Sequence, residues 1–372
     1  MLVQIHILQN YAPSNLNRDD SGSPKDAFFG GVKRGRISSQ STKRSIRHSD
    51  AFKAAFEEKG LLASRTKLLP GLIDAELKGL GVDEETRAAI VARIPEIGRE
   101  SDKGDASKSE DDEIETKQLI FIGPDERKPL AEKLLAIYQE KGSKEWSNLK
   151  IGDLTKELGA SIPRSVDVAM FGRMTTSAAF EDVQAAVQVA HSLTTSAVET
   201  EFDYFTAVDD ISGKSGAGMI GDVEFNSATH YKYFNIHWGD LVKNLGADDD
   251  KSVAKEAVAA FLQAAATAQP SGKQNSFAAH NLPDLIMVEV SKRNLPVSYA
   301  NAFVKPVRQN YEQSLMDASI VALNNYASRL RKVYSLDGKC AFISVSGEEI
   351  SSAEKKDSLD DLGTWLLSQL PE

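Results

Sequence analysis

Between Arg34 and Ser49 the sequence RGRISSQSTKRSIRHS places Arg34, Arg36, Lys43, Arg44 and Arg47 in one short run with no acid among them. Over residues 25–48 the cations Lys25, Lys33, Arg34, Arg36, Lys43, Arg44 and Arg47 face one acid, Asp26. The whole chain is acidic, with a net charge of −10. A one-signed basic run in an acidic chain suits a local polyanion rather than non-specific attraction by the whole surface. On a helix, Lys43 and Arg47 are four apart and project from one face, with Arg44 beside them. Ser38, Ser39, Gln40 and Ser41 bring small polar groups to the N-terminus of that helix. Unpaired N–H groups and partial positive charge favour phosphate there. Lys273, in SGKQNSF, is a further candidate cation. The plainer alternative is a solvated charged face, the common fate of a charge run.

Other chemistry is sparse. Asp19 and Asp20, adjacent in NRDD, could hold a hydrated Mg²⁺ or could hydrogen-bond their own loop; the loop role is the expectation. The sequence contains no phosphate loop ending in Lys-Ser or Lys-Thr, no HExxH and no GxSxG. His6 and His191 are expected to be packed, hydrogen-bonded residues, the first in a strand and the second on a helix. A lone cysteine, Cys340, excludes a disulfide framework and a cysteine zinc site, and it suits a reducing cytoplasm. The N-terminus reads as too short and polar for a signal peptide. No apolar run reaches membrane-span length, so no membrane partner and a cytoplasmic location are expected.

The elements that must position these groups follow from periodicity. LVQIHIL alternates as a strand. A long polar loop then leads into a helix capped near Ser38 or Ser39 and running to about Gly60. Residues 61–160 read as mostly helical, with a solvated acidic loop near 100–115. SVDVAMFGRM predicts a strand with Val166 and Val168 on one face. Ala179, Phe180, Val183, Ala186, Val187, Ala190 and Leu193 predict a helix after it. VETEFDYFTAVDD and EFNSATHYKYFNIHW predict a long hairpin whose end is glycine-rich. Helices are expected near 249–268 and 310–334, strands at DLIMVEV and CAFISVS, and a short C-terminal helix. The sum is an α+β fold with a helical insertion and a hairpin insertion.

The segment APSNLNRDDSGSPKDAFFGGVKRGRISSQSTKRSIR, followed in order by GRMTTS, DYFTAVDD and SYANAF, resembles the backbone subunit of type I-E CRISPR Cascade, the CasC family. The helical stretch from 60 to 160 and the last fifty residues resemble the family little. The resemblance implies an RRM-like (ferredoxin-like) palm over 1–59 and 231–372, helical fingers over 60–165, a palm/fingers junction over 166–197, and a β-hairpin thumb over 198–230. It implies copies stacked head to tail along a CRISPR RNA, with target DNA strand and other Cascade subunits as partners, in antiviral defence. It implies no cofactor and no enzymatic activity. By the same resemblance Arg18, Lys25, Ser38, Gln40, Lys43, Arg44 and Arg47 line the guide backbone. Met174, Phe205 and Thr206 wedge at a displaced nucleotide, and Arg173, beside Met174 in the matched block, is expected to contact the RNA. LVQIHIL lacks the aromatic motifs of an ordinary RRM strand, so RNA is expected on the loop and helix rather than across the sheet. The rival is a metal-dependent ribonuclease, because related type III backbone subunits cut with a loop aspartate, here Asp19 or Asp20. A third alternative is a structural protein whose basic patch meets an acidic partner.

Overall fold

The computed structural model describes residues 1–97, 107–108, 114–116, 118–159, 165–175, 179–208, 211, 217–246 and 251–371. Most of the acidic loop near 100–115 and the glycine-rich end of the hairpin lie outside the described residues. The chain divides into two units. Unit 1 comprises Met1–Phe52, Gln188–Trp238 and Val258–Glu372; unit 2 comprises Lys53–Val187 and Gly239–Ala257.

Unit 1 is built on a mixed sheet around β1, Leu2–Ser14. On one side β1 pairs antiparallel with Leu285–Ser291, then come Lys339–Ser344 and, parallel to it, Glu354–Lys355. On the other side it pairs antiparallel with Ala217–His237, followed by Ser192–Thr194, β3 (Val32–Ile37) and β2 (Asp26–Phe29). Leu2 to Leu8 are all buried, so β1 is a central strand covered on both faces. Ile5 lies opposite Phe234, and Phe234 meets Phe261 of helix Ser252–Thr267 edge-on at 5.5 Å. On the other face Leu8, Tyr231, Leu285 and Met287 pack with Ile320 and Leu323 of helix Leu315–Val333. Tyrosines bond two of the polar residues on that face. Tyr233 donates to Gln4 Oε1 at 2.7 Å, and the Tyr231 hydroxyl bonds His6 Nδ1 at 2.8 Å. Burial pushes the His6 imidazole down to about 3, so it is neutral, as a packed histidine must be.

Unit 2 is largely helical. Leu69, Ile73 and Leu77 of helix Leu69–Gly79 share a core with Leu130, Leu134 and Ile137 of Pro124–Asn148, and with Leu154 and Leu158 of Ile151–Leu158. Gly142, at φ 72°, breaks the long helix.

Three local expectations are corrected. The helix after Ser38 is two helices, α1 (Ser39–Arg47) and Asp50–Phe56, broken at His48 and Ser49. SVDVAMF is a helix, Val166–Phe171, whose first five residues are all buried. A six-residue helix buried on nearly every side shows no helical period, so Val166 and Val168, flanking the buried Asp167, mimic a strand. Conversely, 179–193 contains no helix. Its chain crosses from unit 2 to unit 1 between Val187 and Gln188, and Ala179 and Phe180 enter the unit 2 core while Ser192–Thr194 joins the sheet. Its three- and four-residue spacing therefore serves two different cores.

Candidate nucleic-acid interface

The basic run does not act as one patch. Arg34, in the middle of β3, is fully buried. Its guanidinium donates to the carbonyl oxygens of Phe29 (3.3 Å), Thr194 (3.0 Å), Thr195 (2.7 Å), Phe303 (2.7 Å) and Val304 (3.3 Å). This fork, which only arginine can supply, ties β3 to two loops and fixes the strand that leads into α1. Lys33 pairs with Asp26 at 2.7 Å on the surface. Arg36 donates to the Asp26 carbonyl at 3.2 Å and lies 3.3 Å from His191 Nδ1.

α1 begins at a working cap. The Ser38 hydroxyl accepts from the Ser41 N–H at 3.3 Å, and the Ser38 N–H donates to Asn17 Oδ1 at 2.8 Å. Ser38 is buried, so its local role is to start the helix. The Ser39 N–H donates to His191 Nδ1 at 3.3 Å. His191 is hydrogen-bonded as expected but is not the packed helical residue that the sequence suggests; it is an exposed loop residue capping α1 from 152 residues away. Burial first, then Arg36 and Lys25, hold its pKa below the ordinary histidine value. Thr42 and Ile46 face inward. The opposite side presents Gln40, Lys43, Arg44 and Arg47, and Gln40 and Arg44 are exposed.

Arg44, Ser41 and Ser45 also line a cavity of about 480 Å³. Its other walls are the loop Leu16–Asp20 with Gly22, and the turn Pro270–Gly272. The turn approaches the loop at Gly272, where a Cβ would sit 2.3 Å from the Leu16 carbonyl oxygen. Arg18 and Arg44 thus share one cavity, and Lys273 follows directly on its rim turn. Among the described residues Arg18, Lys25, Lys43 and Arg44 make no ion pair. Asp19 is committed to its own loop. Its Oδ1 accepts from the Ser21 hydroxyl (2.7 Å) and from the N–H groups of Ser21 and Ser23 (3.0 Å each). The Ser21 hydroxyl, ahead of the backbone donors, holds this carboxyl below the usual range. That is the loop role expected of it.

The hairpin of unit 1 pairs Glu201–Val208 with Ala217–His237, and all eight residues of the first strand are exposed. Tyr204 is 65% and Phe205 38% exposed, so neither is core. Phe205 is the more covered because its ring lies over Gly221, its cross-strand partner, where a Cβ would come within 2.6 Å of the ring. Phe202, Met219 and Ile220 are exposed as well. A two-stranded ribbon with exposed apolar groups on both faces gains little stability by itself.

In unit 2, Met174 is 93% exposed. Arg173 is the reverse, a buried side chain paired with Glu126 at 2.8 and 2.9 Å. It also donates to the carbonyls of Glu181 (3.0 Å) and Phe121 (3.1 Å) and stacks over Phe180. The expectation that Arg173 contacts RNA is corrected on this geometry: its guanidinium holds together the chain on either side of Met174. Reading the sequence also missed the Pro270–Gly272 wall and the His191 cap. The only signal for the former is the Pro-Ser-Gly turn beside Lys273; nothing in sequence links residues 39 and 191.

Comparison with known proteins places this geometry. The family profile described as CT1975-like protein, a Cas family, matches residues 3–368. A search of the curated proteins returned no match. Among solved structures, a chain of a "CRISPR RNA-guided surveillance complex, pre-nicking" superposes with a TM-score of 0.80 at 32% identity, over 99% of this chain and 100% of that one. A chain of another "CRISPR RNA-guided surveillance complex" matches at TM-score 0.62 and 28% identity, over 99% of each.

Proposed function

Because the chain belongs to the CT1975-like family, we propose that it is an RNA-binding backbone subunit of a Cascade-type CRISPR surveillance complex, of the type I-E kind. On this reading several copies line up along one CRISPR RNA in the cytoplasm and present it, with other subunits, to a target DNA strand. The sheet of unit 1 with its helices serves as an RRM-like palm, the helical unit as fingers and the exposed hairpin as thumb. The observation that carries the reading is the outer flank of α1. Lys43 and Arg44 there, with Arg18 and Lys25 from the preceding loop, stand without ion pairs among the described residues of an acidic protein. Cations left unpaired over a polar cavity suit a sugar–phosphate strand, and they hold it without regard to sequence. Gln40, Arg47 and Lys273 flank the same path. Phe205 and Met174, with Thr206 next to Phe205, serve as wedges that set spacing.

We also propose that the subunit is not a nuclease. Asp19 is hydrogen-bonded into its loop, which favours a loop-shaping role over metal binding. The test is direct. The complex assembled with guide is incubated with complementary RNA and Mg²⁺. Intact RNA is expected; regularly spaced cuts that vanish in Asp20→Ala would replace this reading with the ribonuclease.

A further inference from the structure

The cavity beside α1 contains a group that phosphate binding does not explain. Asp20 lies on its wall with Arg18 and Arg44, yet among the described residues it makes no ion pair or hydrogen bond. Its neighbour Asp19 accepts three hydrogen bonds within the loop, so the loop needs nothing from Asp20. A bare carboxylate on the wall of a phosphate-binding cavity repels the ligand unless a donor meets it. A sugar–phosphate backbone carries one such donor, the ribose 2′-hydroxyl, which DNA lacks. The hydroxyls of Ser41 and Ser271 on the same walls can donate to phosphate oxygens, whereas that of Ser45 donates to the Ser41 carbonyl and Asp19 is taken up by its own loop, leaving the Asp20 carboxylate as the acceptor without a donor.

Resting on the RNA-binding reading above, we propose that Asp20 is the group by which this site distinguishes ribose from deoxyribose: Arg18 and Arg44 take the phosphates, and the Asp20 carboxylate accepts a 2′-hydroxyl. Gly272 keeps the opposite wall close to the loop that carries Arg18 and Asp20, so the arginines and the carboxylate line one narrow cavity. A hydrogen bond to a charged acceptor discriminates by about tenfold or more.

The experiment measures affinity of the full chain for a single-stranded RNA and for the DNA of the same sequence, with and without a metal chelator. The wild type is expected to prefer RNA, chelator or not. Asp20→Ala and Asp20→Asn are expected to lower the RNA-to-DNA preference about tenfold, chiefly by improving DNA binding as the repulsion disappears. Asp20 is exposed and unbonded, so both variants should fold, and equal thermal melting of the three proteins checks this. An unchanged ratio, or an equal gain for both strands, overturns the proposal. A preference that collapses on chelation overturns it too, because the carboxylate would then be holding a cation. A wild type that binds both strands equally defeats this inference alone; one that binds neither defeats the RNA-binding reading.

Discussion

The salt dependence of RNA binding separates the geometry of this site from its composition. Counting charges from 25 to 48 gives seven cations. Single-strand binding weakens with a log–log slope of about 0.7 per neutralised phosphate, so all seven acting would give a slope near 5. The structure removes Arg34, which is bonded to five carbonyls, Lys33, which pairs with Asp26, and Arg36, which is held by Asp26 and His191. Arg47 already has a partner within the chain and Lys273 lies only on the rim turn, so both flank the strand without a counted contact. Lys25, Lys43 and Arg44 remain, joined by Arg18 from the cavity wall. Four contacts give a slope of about 3. The assay is the anisotropy of a short labelled RNA, titrated at several salt concentrations. Arg44→Ala should flatten the slope by about 0.7. Arg34→Lys should leave the slope alone and destabilise the fold, because an ammonium cannot replace the fork of bonds. A wild-type slope near 5, or one indifferent to Arg44→Ala, would refute the division into structural and binding cations.

Three further outcomes follow from the same geometry. Glu126→Gln strips the buried Arg173 of its counter-charge and should cost about 3–5 kcal/mol in chemical denaturation, without changing the salt slope. Burial pushes Lys232 down to about 7 from an ordinary 10.5, so above that value the unfolded chain holds a proton that the folded chain lacks. Stability should therefore rise with pH from about 7 toward 9, by up to about 1.4 kcal/mol per pH unit, and Lys232→Met should flatten that rise. Phe205→Ala removes a half-exposed ring from the hairpin and should change stability by less than about 0.5 kcal/mol. It should nevertheless disturb the regular spacing of nuclease protection along bound RNA; an unaltered footprint would remove Phe205 from the wedge.

What the sequence made legible depended on how far a residue's role lies from its own neighbours. β1, the capped start of α1, the long hairpin, and the strands and helices after residue 249 are local patterns, and they appear where periodicity and capping put them. The Asp19 turn was legible for the same reason, since its partners are two and four residues away. Val166–Phe171 and 179–193 were misread because a fully buried short helix and a crossing between two cores each break the link between period and element. Charge was legible only as a sum. Nothing local distinguishes Arg34, buried against carbonyls 160 and 269 residues distant, from Arg44 at the cavity. The same holds for Arg173, whose partner Glu126 lies 47 residues back. The capping role of His191 escaped notice because its bond to Ser39 is a product of strand pairing in the sheet.

The most direct test of the central claim is what the protein carries when purified from cells that express a CRISPR array. The wild type should copurify with a single small RNA of defined length, and the double variant Lys43→Ala, Arg44→Ala should keep its fold and lose that RNA. Retention of the RNA by the folded double variant would contradict the account.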